Sequence, residues 1–109
     1  MERKYYDLKT EFGNYKVAPV MHKYQNNNTL AIELELESGE PFSRLTVNLD
    51  GNNKLKDNEA FVDTNNCPEA MTFIRENDLG KPSGGLGFSG FCAYPRYEFN
   101  LDKLNKGEN

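Results

Sequence analysis

Two stretches of alternating apolar and polar residues give the clearest structural signal in the chain. Across residues 29–37 the even positions are leucine or isoleucine, and positions 31 to 37 on the other face are alanine or glutamate. Residues 42–49 alternate in a similar way. A period of two is typical of a β-strand with one buried and one solvated face. Because Ser38, Gly39 and Glu40 separate the stretches, the pattern predicts an antiparallel hairpin.

Two further strands are predicted on either side of this hairpin. Residues 15–24 read as a strand in which Pro19 would be tolerated best at a sheet edge or a bulge, because proline donates no backbone hydrogen bond. Residues 50–58 are rich in turn-forming residues and predict a surface loop. Residues 60–62 then predict a short strand.

One helix is predicted after the short strand. Asn66 or Cys67 can cap it, and Pro68 suits its first turn. Glu69 stands three residues after Asn66, as in a capping box, and Gly80 can end the helix. About three turns would then pack on a sheet through a narrow apolar stripe, which comprises Ala70, Phe73, Ile74 and Asn77 with Met71 beside them.

The C-terminal part begins with a cluster of glycines. Five of the nine glycines lie between Gly80 and Gly90, which predicts an irregular loop. Residues 91–99 predict the last strand, and residues 101–104 predict a final helical turn. Residues 105–109 are expected to fray.

These elements together predict an α+β domain with an antiparallel sheet of about five strands and one main helix packed on one face. A chain of 109 residues suits a single domain over residues 1–109. The predicted core comprises Leu30, Ile32, Leu34, Leu36, Leu45, Val47, Leu49, Phe61, Phe73, Ile74, Phe91 and Phe99.

Charge is distributed unevenly along the chain, whose net charge is −4. Residues 1–28 carry +2, residues 29–80 carry −7 and residues 81–109 carry +1. An acidic surface argues against a general nucleic-acid or anionic-membrane binder. Two cysteines, Cys67 and Cys92, are too few for a disulfide scaffold, so reduced thiols are predicted. With no apolar leader or bilayer-length run, a cytoplasmic location is expected.

Two groups of residues are candidates for a site of chemistry. The run from Gly85 to Gly90 matches the dinucleotide fingerprint G-x-G-x-x-G, but a helix precedes it and a strand follows it, which is the reverse of the required order. His22, Cys67 and Cys92 lack metal-ligand spacing and no third group completes a Cys-His nucleophile. No catalytic residue, metal or cofactor is therefore expected.

The acidic positions of the clearest strand suggest a binding surface. Glu33, Glu35 and Glu37 would stand about 6.8 Å apart on one strand face, which resembles the spacing of phosphates along a nucleic-acid strand. With Glu40 they form the candidate partner-binding row. The alternative is an ordinary solvated strand face whose charge lysine or arginine from a neighbouring strand neutralises.

Aromatic residues concentrate near the end of the chain around Arg96. They could stack on single-stranded bases or pack in the core. Core packing is favoured, since the region lacks the cationic groove that base stacking also needs. The residues are Phe88, Phe91, Tyr94, Tyr97 and Phe99.

Several segments together carry a family pattern. They are residues 28–32, 45–49, the run Asn-Glu-Ala-Phe-Val-Asp-Thr-Asn-Asn at 58–66, the helix after it, residues 80–84 and 89–99, and Leu101 with Leu104. From about Tyr15 to Leu104 the chain resembles a family of short proteins of unassigned function carried on conjugative elements, plasmids and prophages of Gram-positive gut bacteria. The resemblance carries over no catalytic residue. It implies accessory cargo of mobile DNA, a setting in which small acidic proteins often inhibit host nuclease defences, as anti-CRISPR proteins do.

The functional expectation follows from charge, pattern and setting. It is a non-enzymatic inhibitor of a host defence nuclease, with a Cas9-type effector as the expected target, that occupies a basic nucleic-acid-binding surface. Neither membrane binding nor direct nucleic-acid binding is expected. The alternatives are a single-stranded nucleic-acid-binding or other accessory module, and a small enzyme with an unrecognised site.

Overall fold

The computed structural model describes residues 3–49 and 54–107. Within these ranges the chain forms nine strands, one α-helix and one 3₁₀ helix. The strands are β1 (Tyr6–Thr10), β2 (Gly13–Lys23), β3 (Leu30–Leu36), β4 (Pro41–Arg44), β5 (Thr46–Val47), β6 (Glu59–Val62), β7 (Gly80–Ser89), β8 (Cys92–Phe99) and β9 (Asn105–Lys106). The helix α1 spans Ala70–Glu76 and the 3₁₀ helix spans Leu101–Lys103.

The strands form two sheets, and the main core contains residues from both. The first sheet has the order β1-β2-β3-β4, with β9 beside β2, and the second has the order β5-β6-β8-β7. All pairs are antiparallel except β2 with β9. The α+β class is therefore confirmed, whereas the predicted sheet of about five strands is two sheets with nine strands in all. Neither helical element in the described ranges has the length and apolar content that a membrane span requires.

The predicted hairpin between β3 and β4 is confirmed. The N–H of Leu36 donates to the carbonyl of Glu40 at 2.9 Å, which closes the turn. Leu30, Ile32 and Leu34 point into the main core, as their period of two predicted, and Leu36 packs against it half-buried.

The predicted strand over residues 42–49 divides at Leu45. The N–H of Leu45 donates to the carbonyl of Ile32 in the first sheet, and its own carbonyl accepts the N–H of Asp63 beside the second, both at 2.9 Å. Leu45 and Thr46 are consecutive and both fully buried, so the alternation fails here. The chain thus passes from one sheet to the other at this residue.

Pro19 lies in an internal strand and not in an edge strand, but at a point where one side of that strand is unpaired, so the predicted edge environment is met only locally. It is fully buried in β2, which has strands on both sides. The pairing of β1 with β2 reaches only Val17, and that of β9 begins at Val20. Proline is accommodated because it stands in the gap between these two neighbours, where the side-chain N–H of Asn105 donates to the Pro19 carbonyl at 3.0 Å.

The helix is shorter than predicted, and its termini differ. Asn66 does not cap it, since the Asn66 side chain donates to a carboxylate oxygen of Asp63 at 2.9 Å. The N-cap residue is Glu69, with no side-chain cap, and the helix gives way to a left-handed residue, Asp78 at φ 54°, before Gly80. The predicted buried face is confirmed for Ala70, Phe73 and Ile74.

The glycine-rich segment is strand β7, so the prediction of an irregular loop is wrong. Gly84 and Gly85 have φ of +86° and +95° and form a bulge where the register shifts between Pro82 and Leu86. Gly87 packs so closely that a Cβ there would lie 2.3 Å from Leu49 Cδ1. The glycines permit a bulge, a turn and close packing within a strand.

The remaining C-terminal predictions divide. The last strand and the 3₁₀ turn over Leu101–Lys103 are confirmed, but Asn105 and Lys106 pair with β2 instead of fraying. The side chain of Asn105 also holds Lys4, accepting from its N–H at 2.7 Å and donating to its carbonyl at 2.9 Å. Of the predicted loop at 50–58, residues 50–53 lie outside the described residues, as do residues 108 and 109 of the predicted fraying end.

The core prediction is wrong at one position. Phe91 is fully exposed because it occupies the turn between β7 and β8. Val47 is half-buried against a second, smaller cluster, which comprises Leu49, Phe61 and Tyr94. Leu36 is half-buried against the main core. The remaining predicted core residues are buried, and they are Leu30, Ile32, Leu34, Leu45, Leu49, Phe61, Phe73, Ile74 and Phe99.

Candidate protein-binding surface

The four acidic residues of the candidate row lie along the β3–β4 hairpin but in two different environments. Glu33 and Glu35 are half-buried on the outer face of β3, which faces away from the core. Glu37 and Glu40 are exposed at the two ends of the connecting turn. The row therefore consists of a sheet part and a turn part.

Glu35 forms an ion pair with a residue distant in sequence. Arg3 Nη2 donates to Glu35 Oε1 at 2.8 Å, and the pKa of Arg3 is raised, chiefly by this hydrogen bond. Arg3 precedes β1, on the far side of β2 from β3, so its side chain crosses β2 to reach Glu35. Ala18, which stands in register with Glu35 on β2, is fully buried.

Glu33 also has a cationic neighbour. It stands opposite Arg44 on β4, and both line a shallow depression of about 470 Å³ together with His22 and Tyr24. Tyr24 has a raised pKa, chiefly because the ring is partly buried, and its hydroxyl lies 2.9 Å from Thr46 Oγ1. The sheet part is therefore a mixed-charge surface, which is the neutralised strand face that the sequence left open as the alternative.

The turn part is anionic. The sequence has no lysine or arginine between residues 36 and 41. Ser38 donates from its hydroxyl to Glu40 Oε1 at 3.3 Å and accepts the N–H of Glu40 at 3.4 Å, which orients that carboxylate. We call Glu37, Ser38, Gly39 and Glu40 the acidic turn.

The three soft metal ligands lie in different parts of the fold. Cys67 belongs to the main core, Cys92 packs against the second cluster, and His22 lies on β2. Both thiols are free, and burial raises the pKa of the Cys67 thiol. Across the described ranges, no group of three or more histidine, cysteine or acidic side chains could hold a metal ion.

A polar cluster that the sequence did not indicate lies beside the bulge in β7. Arg96 donates to the hydroxyl and the carbonyl of Ser83 at 3.2 and 3.3 Å, and its Nε lies 3.8 Å from Glu59 Oε2. Glu59 is buried, and its pKa is lowered mainly by the N–H of Lys56, which donates to Glu59 Oε1 at 3.0 Å. Arg96 therefore fixes the bulge, and its guanidinium is engaged within the fold.

The aromatic residues divide between core and surface. Tyr94, Tyr97 and Phe99 are buried, in agreement with the core-packing interpretation. Phe88 is 67% exposed and Phe91 is fully exposed, and both lie on the β7–β8 hairpin. The bulge in β7 interrupts the alternation of apolar and polar residues in this segment. The sequence therefore did not separate the buried aromatic residues from the exposed ones.

Comparison with known proteins gives a family match. Residues 20–108 match the domain of unknown function DUF4313. This range contains the β3–β4 hairpin with the acidic turn and the β7–β8 hairpin, but not Arg3. No curated protein and no solved structure shows a significant match to the chain. Because the matched range covers most of the sequence, the chain belongs to the DUF4313 family.

Proposed function

We propose that this protein is a non-enzymatic, cytoplasmic inhibitor of a host nuclease defence, with a Cas9-type effector as its target. In this proposal the acidic turn occupies a basic nucleic-acid-binding surface of the nuclease. The observation that carries it is the exposed pair Glu37 and Glu40 on a hairpin closed by backbone hydrogen bonds.

Charge complementarity supports this kind of partner. Cas9-type enzymes hold nucleic acid in positively charged channels and read a short motif with arginines. Carboxylates form strong, bidentate hydrogen bonds with arginine. Opposite charge on the two surfaces would speed their encounter and make binding sensitive to salt. The segment of residues 29–80, which contains the acidic turn, carries −7.

The two parts of the acidic row receive different roles. Glu35 is already paired with Arg3 and would have to exchange that partner on binding. Glu33 stands in register with Arg44, so its charge is offset by a neighbouring cation. Glu37 and Glu40 have no such cation beside them in the sequence. We therefore assign the main contact to the acidic turn. The resemblance to proteins of mobile elements supports a host defence as the target class.

A cleavage assay with matched variants tests the proposal. Purified Cas9-type nucleases, each loaded with guide RNA, are given target DNA and an excess of this protein. The variant Glu37→Lys/Glu40→Lys should raise the half-inhibitory concentration by about tenfold or more, which corresponds to 1.4 kcal/mol. Its control, Glu11→Lys/Glu76→Lys, changes the net charge equally at exposed sites in the β1–β2 turn and on α1.

Two results would oppose the proposal. Full cleavage by every nuclease in the presence of the wild-type protein would exclude Cas9-type nucleases as the target. Equal inhibition by the two double variants, with unchanged circular dichroism, would remove the acidic turn as the contact surface.

A further inference from the structure

An apolar patch lies on the β7–β8 hairpin, on the sheet face that α1 covers elsewhere. Leu86 stands opposite Pro95 and Phe88 opposite Ala93, so these four side chains share one face. Leu86 is 56% and Phe88 67% exposed, and Phe91 projects from the turn. We call Leu86, Phe88 and Phe91 the hairpin patch.

The patch borders a free strand edge. β7 is the outermost strand of its sheet, with β8 on one side only among the described residues. Its first half carries Lys81, Pro82 and the bulge, which are features that protect an edge from further pairing. Residues 86–89, Leu-Gly-Phe-Ser, have no charge, proline or bulge.

The hairpin geometry makes this edge able to pair. Ser89 and Cys92 close a two-residue turn in which Gly90 has φ +61°. The closing pair of such a turn exchanges backbone hydrogen bonds, and bonded and non-bonded pairs then alternate along the hairpin. Leu86 and Phe88 fall at non-bonded positions, so their N–H and C=O groups point away from β8 toward the free edge.

We propose that a second copy of this chain pairs with β7 at this edge. The two β7 strands run antiparallel about a twofold axis at Gly87, with Leu86 of one copy opposite Phe88 of its partner. Each such pair exchanges two backbone hydrogen bonds and places a leucine against a phenylalanine on one face. The two four-stranded sheets become one continuous sheet.

Charge and area favour a second copy as the occupant. No charged residue occurs from Ser83 to Pro95, so two chains of net charge −4 can meet here without opposing like charges. The hairpin patch offers on the order of 400 Å² of apolar surface per copy. This is about half of what each partner contributes to a standard interface. The resulting dimer is weak, with a dissociation constant of about 10 to 100 µM.

Sedimentation velocity from about 1 to 500 µM tests the dimer. The wild type should move from monomer to dimer, and Phe88→Lys should remain monomeric. The matched control is Phe12→Lys, since Phe12 is 83% exposed on the β1–β2 turn and should dimerise like the wild type. A wild type that stays monomeric would overturn the proposal. If that monomer floated with phosphatidylcholine vesicles, the hairpin patch would be a membrane contact and the dimer would be equally excluded. A Phe88→Lys variant that still dimerises would also overturn it.

Amide hydrogen exchange tests the register. At dimer concentrations the amides of Leu86 and Phe88 should exchange at least about fivefold more slowly than at 1 µM, whereas Gly87, already bonded to β8, should not change. Slowing that appears on another element and not at these two amides would assign the dimer to a different surface and overturn the proposal.

Discussion

Thr46 Oγ1 lies 3.0 Å from the backbone nitrogen of Ile32 and accepts its N–H. Both residues are fully buried, at the place where the chain leaves the first sheet for the second. The Thr46 hydroxyl supplies the acceptor that a continuing β4 backbone would otherwise have provided. Tyr24 shares the same oxygen at 2.9 Å. The Thr46 side chain therefore replaces a backbone acceptor for the N–H of Ile32 where the two sheets meet.

Replacing Thr46 by valine should destabilise the protein. Thr46→Val keeps the shape but leaves the buried N–H of Ile32 without an acceptor, which costs about 1 to 3 kcal/mol. Thr46→Ser retains the hydroxyl and should lose less. Urea unfolding followed by circular dichroism compares the two variants, and equal midpoints would show that the hydroxyl is not needed.

The buried Glu59 should make stability depend on pH in the acid range. Its folded pKa is below the ordinary value of 4.5. The carboxylate therefore stabilises the fold above that pH, and this contribution is lost as the pH falls through the lowered value. Glu59→Gln should be less stable than the wild type near neutrality, and the difference should shrink below pH 4.5. A difference that is the same at all pH values would contradict this.

Gly87→Ala should destabilise the β7–β8 hairpin. The added Cβ would lie 2.3 Å from Leu49 Cδ1 and 2.8 Å from Phe61 Cε1, inside the second cluster. Overpacking of this kind costs about 1 to 3 kcal/mol. Ser89→Ala, on the same strand but exposed, is the control and should unfold like the wild type. Thermal unfolding distinguishes them.

The two cysteines should differ in reactivity. Cys67 is buried and its pKa is raised by burial, so its reactive thiolate is scarce, whereas Cys92 is half-buried. Titration with a chromogenic disulfide reagent should show one thiol reacting early in the native protein. Denatured protein that has not been treated with a reductant should show two reactive thiols per chain. A count near zero would contradict the prediction of reduced thiols.

The sequence was most informative where one face of an element is buried. The alternation at 29–37 placed Leu30, Ile32 and Leu34 in the core, and the helix face from Ala70 to Ile74 was also predicted. Both signals are local, since burial against the core imposes the period directly. The hairpin joining β3 to β4 followed from its turn residues for the same reason.

What the sequence did not reveal depends on distant contacts. The change of sheet at Leu45 requires Ile32 and Asp63 as partners, and neither is implied by the residues around it. Arg3 reaches Glu35 across 32 positions of sequence, so the sequence allowed neutralisation of the acidic row as an alternative but did not show which glutamate is paired or by which cation. The glycines of β7 resembled a loop because glycine marks turns and bulges alike. The exposed hairpin patch was hidden in the same segment.

A competition assay between this protein and target DNA for the nuclease tests the proposed function most directly. A guide-loaded Cas9-type nuclease that this protein inhibits is bound to a labelled target duplex, and the protein is then titrated in while free and bound DNA are separated by electrophoresis. If the acidic turn occupies the basic nucleic-acid surface, the wild type should displace the DNA and Glu37→Lys/Glu40→Lys should fail to do so. A stable ternary complex of nuclease, DNA and wild-type protein would contradict the account.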